Sequence, residues 1–325
     1  MVFRENIFTI ASEAEFQRIT LELFHFQYEH NKVYRSYIVA LDIDVAEVNS
    51  LEKIPFMPVE FFKTHEVICG NMPPHRIFQS SGTTGTAHSK HHIIDLNLYR
   101  QSLKLGFEYF YGPPEQCQFL ALMPSPEQNP HSSLVFMLSS LMDYSLSSEN
   151  GFFFRNFSGL HCRLEQSHPR GKKVFLFGLT PALLDFAGEF PGNYGPVIVV
   201  ETGGMKGQRQ EMVREELHAI LGSAFGLKKI HSEYGMTEIL SQAYSDGDGL
   251  FRCPPWMKVL IRETKDPFSF EKPGATGGVN IIDLANVYSC AFIATQDLGR
   301  KYTDGSFEVL GRFESSDTRG CSLML

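Results

Sequence analysis

Residues 80–85 read Ser80-Ser81-Gly82-Thr83-Thr84-Gly85, hydroxyls and glycines with nothing bulky between them. Glycine turns the backbone through positive φ and lets it approach a ligand closely. Successive amides in such a turn form a concave anion site, and the hydroxyls aim further donors at the same oxygens. The composition is that of a phosphate cradle, and equally that of a Ser/Gly surface loop. It is not a P-loop, because no Gly-Lys-Ser/Thr follows at the required spacing.

Three further segments could complete a nucleotide site. After the apolar run Val197–Val200 comes Glu201-Thr202-Gly203-Gly204-Met205-Lys206-Gly207, where a flat ring could lie against bare backbone. Glu233-Tyr234-Gly235-Met236-Thr237-Glu238 offers an aromatic face for a base in Tyr234 and a phosphate donor in Thr237. Its Glu238 is a hard oxygen ligand suited to Mg²⁺ bridging phosphates. The same residues also read as a Tyr-Gly turn before a Thr-Glu helix cap. Last come Asp297, at the end of Thr295-Gln296-Asp297, and Arg312, in Leu310-Gly311-Arg312. An Asp at a strand end can accept both ribose hydroxyls and an Arg can reach the same sugar or a phosphate. A surface Asp–Arg pair is the alternative. His131, before Ser132 and Ser133, is placed to line a pocket or to serve structure alone.

These segments need a scaffold, and the chain supplies alternating patterns. Residues 12–40 carry helix-like apolar spacing (Phe16, Ile19, Leu23, Phe24, Tyr28) after a Ser12 cap with Glu15 behind it. Pro55 and Pro58 break the pattern. From about residue 66, short apolar runs alternate with helical spacing: 119–123 then a helix near 132–142, 174–177 then 181–189, 197–200 then a helix near 208–220. This predicts βαβ units and a mostly parallel sheet, whose ligands bind in loops at the carboxyl ends of the strands. Segments 257–264, 277–283 and 289–295 look like strands, with Asp304-Gly305 as a turn. The expected class is α/β: an N-terminal helical segment (1–65), a nucleotide-binding core (66–250) and a small β-rich C-terminal portion (251–325).

Hydrophobic content of 43% and charged content of 20% are those of a globular protein. A net charge of −8 argues against nucleic-acid binding. No signal-like segment or apolar run of spanning length is found, which predicts a cytoplasmic protein without a membrane span. The six cysteines are dispersed without a CxxC pair, consistent with a reducing compartment and without the pattern of a zinc site. Cys321 stands apart, close to the end of the sequence.

In order along one chain, the four pieces resemble the motifs of the adenylate-forming superfamily of acyl- and aryl-CoA ligases. Ser80–Gly85 looks like its phosphate loop, Gly203-Gly204 its adenine-side loop, and Tyr234–Glu238 its Tyr-Gly-x-Thr-Glu motif. Asp297 resembles its ribose Asp, and Gly311-Arg312 its Gly-Arg before the hinge. A closer resemblance, over essentially the whole chain, is to the acyl-protein synthetase family, the synthetase component of the bacterial luminescence fatty-acid reductase complex. It is carried by Phe26-Gln27, Val33-Tyr34-Arg35, Ile54–Pro58, Phe61-Phe62-Lys63, Gln79–Gly85, Thr202–Gly207, Pro254-Pro255-Trp256 and Ser316–Cys321.

The resemblance implies a large domain of helix-flanked sheets that activates a carboxylic, expectedly fatty, acid with ATP and Mg²⁺. It implies Ser80, Ser81, Gly82, Thr83, Thr84 and Gly85 on the phosphates, Gly203, Gly204, Tyr234 and Gly235 around adenine, and Asp297 with Arg312 on ribose. Thr237 and Glu238 would serve catalysis, Glu238 as the metal ligand. The phosphate loop departs from the superfamily by running Thr86-Ala87-His88-Ser89-Lys90 where Pro-Lys is usual. Lys90 is assigned to phosphate contact, with a solvated loop lysine as the alternative. The sequence stops where a CoA ligase continues into a mobile domain with a catalytic lysine. The expectation is therefore acyl transfer to a protein thiol, Cys321, for delivery to a partner acyl reductase. Oligomerisation is left open. The alternatives are a truncated CoA-ligase-like enzyme and a non-catalytic nucleotide-binding scaffold.

Overall fold

The computed structural model describes residues 6–81, 88–166, 171–204 and 212–313. The chain divides into two compact units: a terminal unit built from Met1–Met72 and Pro255–Leu325, and a central unit, Pro73–Pro254.

Ser12 caps α1 (Glu13–His30) by accepting from the Glu15 amide at 3.3 Å, and the Glu15 carboxylate accepts from the Ala11 amide at 2.9 Å. Both amides at the helix start are thereby satisfied. The periodic stretch read over 12–40 is two helices, because Asn31 interrupts it with extended backbone (φ −98°, ψ 106°). Its side chain accepts from the Val33 and Tyr34 amides to start α2 (Lys32–Ala40) and donates to the Ser289 carbonyl at 2.9 Å. A side chain that satisfies backbone groups in this way competes with continuing the helix. The Pro55/Pro58 connector is held by Tyr34 Oη donating to the Pro55 carbonyl at 2.7 Å, and it contains the short strand β1 (Met57–Pro58).

The central unit opens with the hairpin β2 (Arg76–Gln79) and β3 (Lys90–Ile93), followed by α3 (Leu96–Tyr111). Strand–helix alternation then follows: β4 (Cys117–Leu122), α4 (Ser133–Ser145), β5 (Gly151–Phe152), α5 (Phe157–Gln166), β6 (Lys173–Leu179), α6 (Thr180–Glu189), β7 (Ile198–Thr202), α7 (Arg214–Phe225), β8 (His231–Tyr234) and β9 (Ala243–Ser245). Their sheet has the order β5-β4-β6-β7-β8-β9 and is parallel up to β8, which pairs antiparallel with β9. Every residue of β4 is buried, which is why its sequence shows no alternation. Leu176 and Val199 on the strands pack with Leu183 and Phe186 of α6 and Leu217, Leu221 and Phe225 of α7. The last helix of that group runs to Phe225, beyond the expected 220, and ends at Gly226 in the left-handed conformation (φ 67°).

In the terminal unit, β10 (Met257–Arg262), β11 (Thr276–Asp283), β12 (Phe292–Lys301) and β13 (Phe307–Arg312) form an antiparallel meander, with β1 joining β12 in parallel. The expected Asp304-Gly305 turn joins the last two, with Gly305 at φ 86° and Asp304 Oδ1 accepting from the Ser306 amide and hydroxyl. Gln27 of α1 docks onto this sheet's connections, donating to the carbonyls of Asn286 and Val287 and accepting from the Ala291 amide, each at 2.9 Å.

Candidate active site

The phosphate-loop candidate falls in the connection between β2 and β3, at the closed end of the hairpin. Beyond the last strand pair, Gln79 with Lys90, Ser80 N donates to the Ser89 carbonyl at 3.1 Å, and Ser80 Oγ accepts from the Ser89 amide at 3.0 Å. His88 Nδ1 lies 2.6 Å from the Ser80 carbonyl. Ser80 therefore closes the stem of the loop. Ser81 and Lys90 are exposed, and Gly82, Thr83, Thr84 and Gly85 lie outside the described residues. The Gln79 amide donates to the His131 carbonyl at 2.8 Å, so His131 meets the hairpin through its backbone, with its side chain exposed.

The neighbouring His91 is buried and its Nδ1 lies 2.8 Å from the Thr237 carbonyl. This bond brings the hairpin stem together with the Tyr234–Glu238 segment, a link with no signal in the sequence. Tyr234 ends β8 and packs its ring 5.8 Å from that of Phe251. The exposed Gly235 makes room for its neighbour's side chain: a Cβ there would stand 2.5 Å from Glu233 Oε1. Thr237 and the buried Glu238 sit in a turn rather than at the start of a helix.

On the adjacent strand, β7 delivers Thr202 and then Gly203 and Gly204, at φ 82° and 56°. A Cβ on Gly204 would meet nothing within 4 Å, so the left-handed backbone, and not crowding, calls for glycine there. Thr202 Oγ1 donates to the Glu233 carboxylate, tying the two strand ends. The next acid back, Glu201, is buried and accepts from Thr180 Oγ1 at 3.0 Å and Arg214 Nε at 3.4 Å, with His218 Nε2 3.8 Å away. Burial pushes its carboxyl up. The approach of His218, the Arg214 charge and the hydroxyls of Ser232 and Thr180 outweigh this and hold it below the usual glutamate value. Sequence reading passed over Glu201 and Arg214; a charged residue closing the apolar run Val197–Val200 was the available clue.

In the terminal unit, Asp297 and Arg312 face one another across β12 and β13, with Arg312 Nε 3.1 Å from Asp297 Oδ1. The Asp side chain is 9% exposed and the Arg side chain 71%, so the carboxylate is held and the guanidinium reaches outward. The Asp297 amide donates to Thr295 Oγ1 at 3.0 Å, and because β12 continues to Lys301 the Asp lies inside the strand and not at its end as expected. Behind it, Arg262 donates to the carbonyls of Val279 and Thr295 and to Asn280 Oδ1.

The cysteines separate by environment. Cys290, just before β12, is wholly buried, and burial pushes its thiol up to about 12. Burial likewise raises Cys117 to about 11 and Cys69 further still. Such thiols carry no useful thiolate near neutrality. Cys321 lies outside the described residues. Among the described residues, no group of three or more His, Cys, Asp or Glu side chains is placed to hold a metal ion, and no helix is long and apolar enough to cross a membrane.

This fold is that of the adenylate-forming enzymes. ATP-bound MatB from Rhodopseudomonas palustris superposes with a TM-score of 0.56 at 14% identity, over 73% of this chain and 47% of that one. A 2-hydroxyisobutyryl-CoA ligase in complex with 2-HIB-AMP and CoA gives 0.71 at 13% identity, over 94% and 70%. The amide bond synthetase McbA from Marinactinospora thermotolerans gives 0.52 at 17% identity, over 73% and 48%. The matched region spans about half the length of MatB and of McbA. No curated protein matches the sequence. Within this class the chain belongs to the acyl-protein synthetase family, LuxE, whose pattern it matches over residues 7–325.

Proposed function

We propose that the protein activates a fatty acid with ATP and passes the acyl group to a protein cysteine. The observation that carries this reading is the convergence on the central sheet: Gly203-Gly204 and Tyr234–Glu238 leave the carboxyl ends of adjacent strands, and His91 ties Thr237 to the stem of the Ser/Thr/Gly loop. In a parallel sheet that is where ligands bind.

A carboxylate oxygen of the acid attacks the α-phosphorus of ATP, the bond to the pyrophosphate oxygen breaks, and acyl-AMP forms. The protein's task is positioning and charge neutralisation. Ser81, Thr83, Thr84 and the amides of Gly82 and Gly85 hold the phosphates with Lys90, while Ser80 keeps the loop closed. Tyr234, Gly235 and Gly203-Gly204 flank adenine; Asp297 accepts the ribose hydroxyls and Arg312 donates beside them. Thr237 donates to a phosphate. Glu238, a buried carboxylate on a turn next to Thr237, suits a Mg²⁺ that keeps most of its ligands from phosphate and water. Such an ion would offset the phosphate charge.

The acyl group then moves to sulfur: a thiolate attacks the acyl-AMP carbonyl and AMP leaves. Cys290 is unsuited because its thiol stays protonated. Cys321 is the proposed acceptor, with Arg319 nearby in sequence to favour the thiolate. The thioester is the form in which a partner acyl reductase would take the acyl group, in the cytoplasm.

Fatty-acid-dependent ATP–pyrophosphate exchange tests the first step, and absence of exchange with every fatty and aryl acid refutes it. Incubation with ATP and labelled acid tests the second. Cys321→Ser is expected to keep exchange and lose the protein adduct, and a full-strength adduct in that variant overturns the acceptor assignment.

A further inference from the structure

The face that α7 turns toward the central sheet carries two basic side chains that approach one acid. Arg214 and His218 are four residues apart and so share a helix face. Arg214 Nε lies 3.4 Å and His218 Nε2 3.8 Å from the same oxygen, Glu201 Oε1. The other oxygen accepts from Thr180 Oγ1, on the first residue of α6. His218 is also 3.2 Å from Ser232 Oγ of β8. One carboxylate, 5% exposed, thus joins β7 to the starts of α6 and α7, and through His218 to β8.

A buried ionised group of this kind is a poor source of net stability, because well-packed apolar residues do as well; what it fixes is geometry. The geometry fixed here is that of the Gly203-Gly204 segment. Glu201 stands just before Thr202 and Gly203, and Arg214 is where α7 begins. Both described flanks of 205–211 are therefore fastened to the same side chain. Arg214 makes a second contact: its guanidinium lies 4.8 Å over the Phe251 ring, which in turn meets Tyr234 at 5.8 Å. The chain of contacts runs from Gly203's strand end to Tyr234 through Arg214.

We infer that Glu201 and Arg214 are positioning residues for ATP, fastening the end of β7 to the start of α7 and to Phe251 so that the glycine pair and Tyr234 are set before the base arrives. The inference rests on the proposed reading of Gly203-Gly204 and Tyr234 as the adenine walls. Neither residue touches the reacting atoms. Their loss raises the ordering cost of binding ATP and leaves the acid's own binding alone.

The test uses the full chain with Glu201→Gln, Arg214→Ala and Arg214→Lys. Amide hydrogen exchange over 201–204 and 212–218, without nucleotide, reads the fastening directly. Pyrophosphate exchange gives KM for ATP and for the acid. The expected result is faster amide exchange over 201–204 and 212–218 in Glu201→Gln and Arg214→Ala, with KM for ATP up about tenfold. KM for the acid and the rate at saturating ATP stay unchanged, and Arg214→Lys recovers most of the loss. Should Glu201→Gln fail to fold, Arg214→Ala carries the test, its side chain being 25% exposed. Unchanged amide exchange over 201–204 and 212–218 overturns the inference whatever happens to ATP, and so does an equal rise in both KM values. A wild-type protein that gives no pyrophosphate exchange sinks the proposed activity instead, and the amide-exchange arm still judges the fastening.

Discussion

Alanine at Gly278 would place a Cβ 2.4 Å from Arg262 Cζ and 2.7 Å from its Nε and Nη1, so the guanidinium has to move. It is not free to do so. Nη1 donates to the Val279 carbonyl at 3.0 Å and to Asn280 Oδ1 at 2.8 Å, and Nη2 donates to the Thr295 carbonyl at 2.6 Å. Burial already disfavours the Arg262 charge, against the opposing pull of Glu60, Asp297 and Tyr37. Hydrogen bonds from a charged donor contribute about 1.5–3 kcal/mol each. Losing two of them, less about 0.4–1 kcal/mol gained from stiffening the unfolded chain, gives a net destabilisation of about 2–5.6 kcal/mol. The single tryptophan, Trp256, is buried in the same unit against Phe8, and its fluorescence reports that unit's unfolding in urea. A loss below about 1 kcal/mol would show that the sheet relaxes around the methyl group and that the tight packing of Gly278 on Arg262 has no energetic weight.

Gly188 provides the opposite case. It is exposed near the end of α6, and a Cβ there meets nothing within 4 Å, so Gly188→Ala is expected to stabilise the central unit by about 0.5–1 kcal/mol in urea unfolding. Glu201 sets a pH dependence. Its carboxyl is held below the ordinary value of 4.5 in the folded protein, so its contribution is complete above that pH and is lost as pH falls through the lower folded value. The stability gap between wild type and Glu201→Gln should therefore narrow in acid, as measured by urea unfolding between neutral pH and pH 3.5; a gap that widens would reverse the sign of the argument.

Local signals in the sequence carried much of the fold. The Ser12–Glu15 cap and the Asp304-Gly305 turn each satisfy their own backbone within a few residues, and the apolar run of β4 marks a strand buried along its whole length; each is where the pattern put it. Asn31 was legible as a cap and was passed over, because apolar spacing continues through it and only the distant Ser289 carbonyl decides the break. The candidate site was legible as four motifs, since glycine, hydroxyl and acid residues announce themselves by type. What joins them was not. The His91–Thr237 bond and the Thr180–Glu201–Arg214 cluster link residues far apart in sequence, through a backbone carbonyl in one case and common polar side chains in the other.

The docking of Gln27 has a consequence for how the protein is made. Its partners, Asn286, Val287 and Ala291, are 259 to 264 residues further along the chain. At about 5–20 residues per second, a ribosome takes roughly 13–50 s to cover that gap. During this interval α1 has emerged with Phe16, Ile19, Leu23 and Phe24, all buried in the finished fold, and without the strands that bury them. The central unit, continuous from Pro73 to Pro254, can complete itself in the meantime. Vectorial synthesis therefore leaves the amino-terminal helices waiting for the last quarter of the chain, and that interval is when the nascent protein is most exposed to aggregation and most in need of a chaperone.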